Sequence, residues 1–335
     1  MVKEVLRAPA EQRFADELAR LEGADSEPRP KGWRLSPRAV RRFILGDGSA
    51  EVTQKFYGDD PLVDRCIVSL MGHQGLMLVG EPGTAKSLLS ELLAAAISGD
   101  STLVIQGSAG TIEDHLRYGW NYALLLAEGP TERALGPSPV YNGMRAGKVV
   151  RVEELTRCPP QVQGALIWLM SEKTIAIPEL GPAAENRAAP GFNVIGTANL
   201  RDRGVHDMSS ALKRRFNFET VQPIGDPKFE RELVPKQVAE RMADHPSSKP
   251  VHEDVIDLVV SVFRDLRTGV TSEGASVAQP NSVMSTAEAV NVAHAAVLDA
   301  TYLDKGAIGG AHVARQIRGV VFKDDPEDAR KFRAY

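Results

Sequence analysis

The sequence has 335 residues, enough for roughly two domains with substantial cores. Hydrophobic residues make up 43% and charged residues 25%, as in ordinary globular proteins, and the formal net charge is −4. This near balance argues against a protein that mainly coats nucleic acid or an anionic membrane. Two cysteines are too few for a disulfide framework or a thiolate metal site, and no apolar run reaches the length of about 18 residues that a membrane span needs. We expect a reduced, cytoplasmic protein without a membrane segment.

Residues 1–55 are predicted to form an N-terminal helical segment. Leu18 and Leu21 lie on one side of a short amphipathic helix. Ser36 is a favourable N-cap for a second helix, because a proline follows it at the first helical position. Gly46 should end that helix.

From about residue 56 to residue 224, short apolar runs alternate with helical stretches. Continuous apolar strands separated by helices predict a parallel sheet that is covered on both faces. The predicted strands are Leu76–Val79, Thr102–Ile105, Val149–Val152, Phe192–Gly196 and Phe216–Val221, and the predicted helices are 86–98, 111–127 and 160–172.

Residues 225–335 show no further strand pattern. Helices are predicted over 253–267 and 286–303, and Ser285 and Glu288 open the second of them in capping-box spacing. The last third of the chain is therefore predicted to be a small, all-helical domain.

The strongest local motif is a strand, a glycine-rich turn and a helix in direct succession. Backbone N–H groups in such a turn and the positive end of the helix dipole bind phosphate oxygens. Lys86 would neutralise the β- and γ-phosphates, and the Ser87 hydroxyl would ligate Mg²⁺. Ala85 replaces the usual glycine, and an alanine is accommodated there if the residue has right-handed helical angles, since only a positive φ demands glycine. The predicted phosphate-binding residues are Gly80, Glu81, Pro82, Gly83, Thr84, Ala85, Lys86, Ser87 and Leu88.

Polar residues also stand at the ends of the later strands. A buried strand ends in Glu153, which could hold Mg²⁺ through water, and Glu154, which could polarise an attacking water. Read alone, the two could equally be a solvated acidic pair. Asn199 ends the next long strand and could orient water or serve a turn. Arg214 and Arg215 precede the last strand, where they could enter a neighbouring subunit's site or form a surface basic pair.

The order and spacing of these motifs resemble the AAA+ ATPases, and specifically the MoxR-like branch. The resemblance covers about residues 56–335 and rests on the strings GEPGTAKS, GPSPVYNGMRAGKVVRVEELTRCPPQVQGAL, VIGTANLRDRG and ALKRRFNF. It implies a P-loop αβα core with a five-stranded parallel sheet over 56–224, followed by a helical lid over 225–335. It also implies that ATP binds between core and lid and between the subunits of a ring, usually a hexamer.

The same resemblance implies roles for single residues. The phosphate-binding loop is Walker A, Glu153 and Glu154 form Walker B with Glu154 as the catalytic base, and Asn199 is sensor 1. Arg215 is the arginine finger, with Arg214 as the alternative. The family usually has Asp at the first Walker B position, so Glu153 is a departure from its pattern.

The resemblance also predicts two inserts in the core, and it shows that the lid lacks an arginine that the family often has. Segment 111–148 would hold the helix-2 insert, and 174–190 would hold the hairpin before sensor 1; both usually face a pore or partners. The lid often carries a Ser-x-Arg-Ala string. The best match here begins at Ser285 and has no arginine, so Arg264 or Arg267 is a candidate substitute.

The leading interpretation is a Mg²⁺-dependent ATP hydrolase that forms a ring and remodels or activates a protein partner, as a chaperone does. By resemblance, that partner could bear a von Willebrand factor A-type metal-binding domain. One alternative is a nucleotide-gated scaffold with weak hydrolysis, suggested by Glu153 and the missing lid arginine. Another is a nucleic-acid-acting AAA+ motor whose channel is lined by arginines, although the net charge counts against it. The candidate channel residues are Arg201, Arg203, Arg214 and Arg215.

Overall fold

The computed structural model describes residues 7–199, 206–243, 245, 252–281, 284–304, 307–322 and 325–335. The chain forms two compact units. The first extends to Gly80 and resumes with Ala85–Val221, and the second holds Glu81–Thr84 together with the chain from Gln222 onwards. No helix within the described ranges is long and apolar enough to cross a membrane.

The strands all belong to the first unit. Those among the described residues are β1 (Gly75–Gly80), β2 (Val104–Gln106), β3 (Tyr118–Trp120), β4 (Leu135–Pro137), β5 (Val149–Glu153), β6 (Thr174–Ala176), β7 (Glu185–Arg187), β8 (Asn193–Asn199) and β9 (Phe216–Thr220). The helices of this unit are α1 (Ala10–Arg13), α2 (Ala15–Ala24), α3 (Pro37–Leu45), α4 (Asp60–Met71), α5 (Lys86–Ser98), α6 (Tyr122–Glu128), α7 (Pro139–Ala146), α8 (Pro160–Glu172) and α9 (Ser210–Lys213).

Five of these strands form one parallel sheet in the order β2-β5-β8-β1-β9, which confirms the predicted sheet. Every residue of β1 and of β5 is buried, as expected for strands covered on both faces. Gly80 is in register with Asn199, and the strand that ends at Glu153 pairs with β8 on its other side. Parallel pairing therefore brings the carboxyl ends of β1, β5 and β8 to one edge of the sheet.

The predicted helix over 111–127 is wrong. The segment contains a 3₁₀ turn at Glu113–His115, then β3, and only then α6. Asn121 interrupts the helix because its side chain accepts a hydrogen bond from the Leu124 N–H and caps α6. β3 pairs antiparallel with β4, so the insert is a hairpin that carries a helix between its strands. α6 buries none of its own residues, and Tyr122 and Leu126 are 74% and 88% exposed.

The second insert and the helix caps match the sequence analysis. β6 and β7 pair antiparallel inside 174–190, as predicted for a hairpin. The Ser36 hydroxyl accepts a hydrogen bond from the Ala39 N–H at the start of α3, and Gly46 ends that helix with φ +85°. Local side-chain chemistry was therefore sufficient to place both ends of α3.

The turn between β1 and α5 has two left-handed residues. Gly83 has φ +79°, and Ala85, immediately before α5, has φ +65° and ψ +22°. The condition under which alanine would fit without strain, right-handed angles at Ala85, is therefore not met. The turn needs the left-handed conformation to enter α5 at Lys86, and the alanine Cβ makes that conformation unfavourable by about 1–2 kcal/mol.

The N-terminal helices pack into the same core as the sheet. Leu18, Leu21, Phe43 and Ile44 are fully buried and belong to one apolar cluster with residues of β1, α4 and α5. Two ion pairs also connect the N-terminal segment to α5. The guanidinium groups of Arg7 and Arg13 bind the buried Glu91 carboxylate on that helix at 2.6 and 2.9 Å. Residues 7–55 are thus built into the first unit.

A buried ammonium group joins three parts of this segment. Lys55 Nζ pairs with the Glu17 carboxylate and donates to the carbonyl oxygens of Phe43 and Thr53 at 2.9 and 2.8 Å. It also lies 4.8 Å from the ring centroid of Phe14 and 4.4 Å from that of Phe43. These contacts replace the hydration that the charge loses on burial.

The second unit is helical, as predicted. Its helices are α10 (Pro227–Met242), α11 (Glu253–Thr268), α12 (Thr286–Tyr302), α13 (Gly310–Ile317) and α14 (Pro326–Ala334), with a π-helical turn at Arg318–Phe322. Ser285 and Glu288 form the expected reciprocal capping box at the start of α12. Its core is mainly valine and alanine side chains of these helices, together with Phe263 and several isoleucine, leucine and methionine side chains.

Replacing Lys55 should destabilise the first unit. Lys55→Met leaves the largely buried Glu17 carboxylate without its cation, so the free energy of unfolding should fall by about 3 kcal/mol in chemical denaturation. Arg38→Met removes an exposed ion pair with Glu27 and serves as the control, with a change below about 0.5 kcal/mol. Equal effects of the two substitutions would contradict this account of Lys55.

Replacing Ala85 should stabilise the protein. Ala85→Gly removes the left-handed strain and loses part of that gain to the greater freedom of the unfolded chain, for a net increase of about 1 kcal/mol in the free energy of unfolding. The same substitution inside α8, Ala165→Gly, should lower it by about 1 kcal/mol. A loss of stability in both variants would show that the strain at Ala85 is absent.

Candidate nucleotide-binding and hydrolysis site

The predicted phosphate-binding loop connects β1 directly to α5. The Thr84 hydroxyl donates to the Glu81 carbonyl at 2.9 Å, and Lys86 Nζ donates to the Gly80 carbonyl at 3.2 Å. No described side chain caps the N-terminus of α5. The N-terminal N–H groups of a helix and its dipole favour an anion at this position.

Residues after the loop have two different roles. Ser87 Oγ lies 2.7 Å from Glu153 Oε2, so the two residues predicted to bind a metal are in direct contact. The Leu88 side chain packs against the core of the first unit, which leaves only its backbone to face a phosphate. Both positions follow from the helical geometry of α5, which turns neighbouring residues about 100° apart.

The Glu153 carboxylate is buried, with 4% of the residue exposed, and it accepts four hydrogen bonds. Ser87 and Thr197 donate to Oε2, and Ser90 and Arg151 donate to Oε1, all at 2.7–2.8 Å. Burial alone would raise the pKa of Glu153, but the hydrogen bond from Ser90, the Arg151 charge and the other two hydroxyl donors together hold it below its usual range. Glu153 is therefore ionised at neutral pH.

Three of these four donors were missed by the sequence analysis. Arg151 precedes Glu153 by two residues in β5 and so points to the same face of the sheet. Thr197 bears the same relation to Asn199 in β8, and Ser90 lies almost one helical turn after Ser87 on α5. The signal that could have identified them is spacing: two residues along a strand and three along a helix put a side chain on the same face as a site residue. That spacing is informative only once Glu153 is recognised as an acidic residue that needs donors.

The Glu154 side chain is held by the predicted sensor. Asn199 Nδ2 lies 2.9 and 3.0 Å from the two carboxylate oxygens of Glu154, and Arg157 Nε lies 3.3 Å from one of them. The Glu154 backbone has φ +55°, and its N–H donates to the Thr197 hydroxyl at 3.0 Å. The Glu154 side chain keeps 24% of its surface exposed, so water can reach the carboxylate.

The two candidate finger arginines have different surroundings. Arg215 Nε donates to the Ser171 hydroxyl on α8 at 3.0 Å, and its Nη1 donates to the Ala211 carbonyl at 3.2 Å. The Arg214 side chain is exposed just before β9. Both residues lie in the described part of the chain, whereas Arg201 and Arg203 lie outside it.

The two arginines of the helical unit that could replace the missing sensor arginine also differ in their surroundings. Arg267 donates to the carbonyl oxygens of Met284 and Ile224 at 2.8 and 3.1 Å and to Glu230 Oε1 at 2.9 Å. Its guanidinium therefore holds the helical unit together. Arg264 is exposed on the same helix, α11.

Two family models match separate parts of the chain. An AAA domain of the dynein-related subfamily matches residues 75–216, and a YehL-like AAA+ ATPase C-terminal domain matches residues 228–335. Among solved structures, NtrX from Brucella abortus superposes with a TM-score of 0.51 at 12% identity, covering 83% of this chain and 59% of that one. At this identity the likeness shows the fold alone.

Curated relatives extend over most of the sequence. The uncharacterized protein YehL from Escherichia coli K12 is 50% identical over 330 residues, which cover 98% of this chain and 91% of the relative. Chaperone MoxR1 from Mycobacterium tuberculosis is 29% identical over 227 residues, covering 63% of this chain and 56% of MoxR1. The resemblance expected from the motifs is confirmed, and the chain belongs to the MoxR-like AAA+ ATPases, sharing nearly its whole length with YehL.

Proposed function

We propose that this protein is a Mg²⁺-dependent ATP hydrolase that works as a ring of six subunits, by analogy with its family, and that it remodels or activates a protein partner. The observation that carries the proposal is the placement of Glu154. Its carboxylate lies at the edge of the sheet where β1, β5 and β8 end, and Asn199 binds both of its oxygens. The proposal includes the cytoplasmic location expected from the sequence.

The residues present fit a magnesium nucleotide. Ser87 Oγ and Glu153 Oε2 are adjacent oxygen donors, the kind that a hard cation prefers. The described residues contain no cluster of three or more acidic, histidine or cysteine ligands, in keeping with a cation that takes its other ligands from water and phosphate. Bound Mg²⁺ would neutralise charge on the β- and γ-phosphates.

The chain's own groups divide the remaining work. Backbone N–H groups from Gly80 to Ser87 would hold the phosphate oxygens, and Lys86 would bind the γ-phosphate as a point charge. Glu154 would accept a proton from the attacking water at a carboxylate oxygen, and Asn199 would hold Glu154 and that water in line with the phosphorus. Hydrolysis would then release ADP and phosphate.

The proposed ring and the proposed protein partner are supported by different observations. An arginine before β9 would complete the site of the neighbouring subunit, and Arg215 is our choice with Arg214 as the alternative. MoxR1 is named a chaperone, and this supports a protein partner for the present chain. A partner with a von Willebrand factor A-type domain stays part of the proposal.

A nucleotide-gated scaffold is the second candidate. The use of Arg267 inside the helical unit favours it, because that arginine is then not available to the γ-phosphate. The contact between Ser87 and Glu153 argues the other way, because the longer acidic side chain reaches Ser87, the other candidate metal ligand. The third hypothesis, a nucleic-acid-acting AAA+ motor, gains no support from the contacts of the described residues.

The first test is ATPase activity of the purified protein as a function of its concentration. Activity per subunit should rise and reach a plateau, because the site is completed between subunits. Glu154→Gln should reduce kcat by about 100-fold or more while leaving ATP binding within about twofold. Glu253→Gln, an exposed carboxylate at the start of α11, is the matched control and should retain full activity. ATP binding without turnover in the unmodified protein would favour the scaffold.

The second test assigns the arginine finger. Arg215→Ala should lower kcat by about 1000-fold with ATP binding retained, whereas Lys213→Ala on α9 should be nearly neutral. Mixing equal amounts of Arg215→Ala and Glu154→Gln subunits should restore activity at about a quarter of the interfaces, since those pair an intact glutamate with an intact arginine. Restoration with Arg214→Ala in place of Arg215→Ala would assign the finger to Arg214, and no restoration with either would contradict a shared site.

A further inference from the structure

A buried arginine lies beside the candidate metal site, and the mechanism above does not use it. Arg151 is in the middle of β5, only 9% exposed, and shares a sheet face with Glu153. A guanidinium is almost never buried in this way unless its hydrogen bonds are satisfied. Its position inside the sheet therefore calls for a specific set of partners.

The guanidinium connects three segments around the site. Nε donates to Ser90 Oγ at 2.9 Å, Nη1 donates to the Ser101 carbonyl at 3.0 Å, and Nη2 donates to the Ser87 carbonyl at 3.1 Å. Nη2 also donates to Glu153 Oε1 at 2.8 Å. The planar guanidinium group of Arg151 is thus hydrogen-bonded to the start of α5 and to the chain before β2, and these contacts fix its orientation.

The two oxygens of Glu153 have separate partners. Oε1 accepts from Arg151 and Ser90, and Oε2 accepts from Ser87 and Thr197. Because Arg151 and Ser90 occupy Oε1, the other oxygen is turned toward Ser87, the candidate metal ligand. A glutamate has one more rotatable bond than the aspartate that the family usually has here, so its carboxylate needs this additional restraint.

We propose that Arg151 is a positioning residue, which holds the longer Glu153 side chain with Oε2 toward Ser87 and so makes a glutamate suitable at the first Walker B position. The inference rests on the proposed function in one respect, that the site binds a magnesium nucleotide. In this role Arg151 acts through Glu153, to which its Nη2 donates.

The test is a double-substitution cycle in full-length protein that also carries Glu154→Gln, so that ATP is bound and not consumed. The readout is the Mg²⁺ concentration for half-maximal tightening of ATP binding, measured by displacement of a fluorescent ADP analogue. Arg151→Met should raise that concentration about 10-fold when residue 153 is glutamate. In the Glu153→Asp background the same substitution should change it less than twofold, because the shorter side chain does not need the restraint.

A milder variant covers the case in which Arg151→Met does not fold. Ser90→Ala removes the other donor to Oε1 and should shift the Mg²⁺ dependence in the same direction, by a smaller factor, only when Glu153 is present. Unfolding of the nucleotide-free protein gives a readout without metal: the changes in unfolding midpoint caused by Arg151→Lys and Glu153→Asp should not add.

The outcomes separate this inference from the function on which it rests. Equal shifts in the glutamate and aspartate backgrounds would mean that Arg151 only supports the fold. A lower Mg²⁺ requirement in Arg151→Met would mean that it acts by charge repulsion, and either result overturns the positioning role. If Mg²⁺ does not affect ATP binding in the Glu154→Gln parent, the proposed function fails and this inference fails with it.

Discussion

One buried negative charge organises the site. The Glu153 carboxylate lies where β5, β8 and the first turn of α5 meet, and each of these elements supplies at least one donor to it. An isolated ionised carboxylate in such a place would be strongly destabilising, and four donors together compensate for the lost water. The compensation works only if all three elements keep their relative positions. The positions of Ser87 and of the carboxyl ends of β5 and β8 therefore depend on this one anion.

The folding pattern of the first unit was largely readable from the sequence. Continuous apolar runs such as that at β1 need a parallel sheet, and parallel pairing puts polar strand ends at one edge. Helix boundaries with a side-chain cap, such as Ser36 at α3 and Ser285 at α12, were equally accessible because the cap is a local interaction. The contacts of Glu154 with Asn199 then follow from the strand order.

Other features depended on information that periodicity does not hold. Ala85 adopts a conformation that its own side chain disfavours, because the turn into α5 overrides local preference. The segment 111–127 has no proline and ends in an apolar run, so it resembles a helix until β4 is known to pair with β3. Periodicity puts Arg151 on the same face of β5 as Glu153, but the contacts of its guanidinium with α5 and with the chain before β2 depend on how those elements pack in three dimensions.

The exposed helix of the first insert has a consequence for the dynamics of the chain. α6 spans seven residues, buries none of them, and begins at the Asn121 cap. Helices this short are marginal in water without tertiary packing, so opening α6 costs little free energy and leaves the core of the unit intact. Amide hydrogens of α6 should therefore exchange with deuterium long before those of α5, where ten of the thirteen residues are buried. On the exchange timescale the insert therefore behaves as a local unit that opens while the buried residues of α5 stay protected.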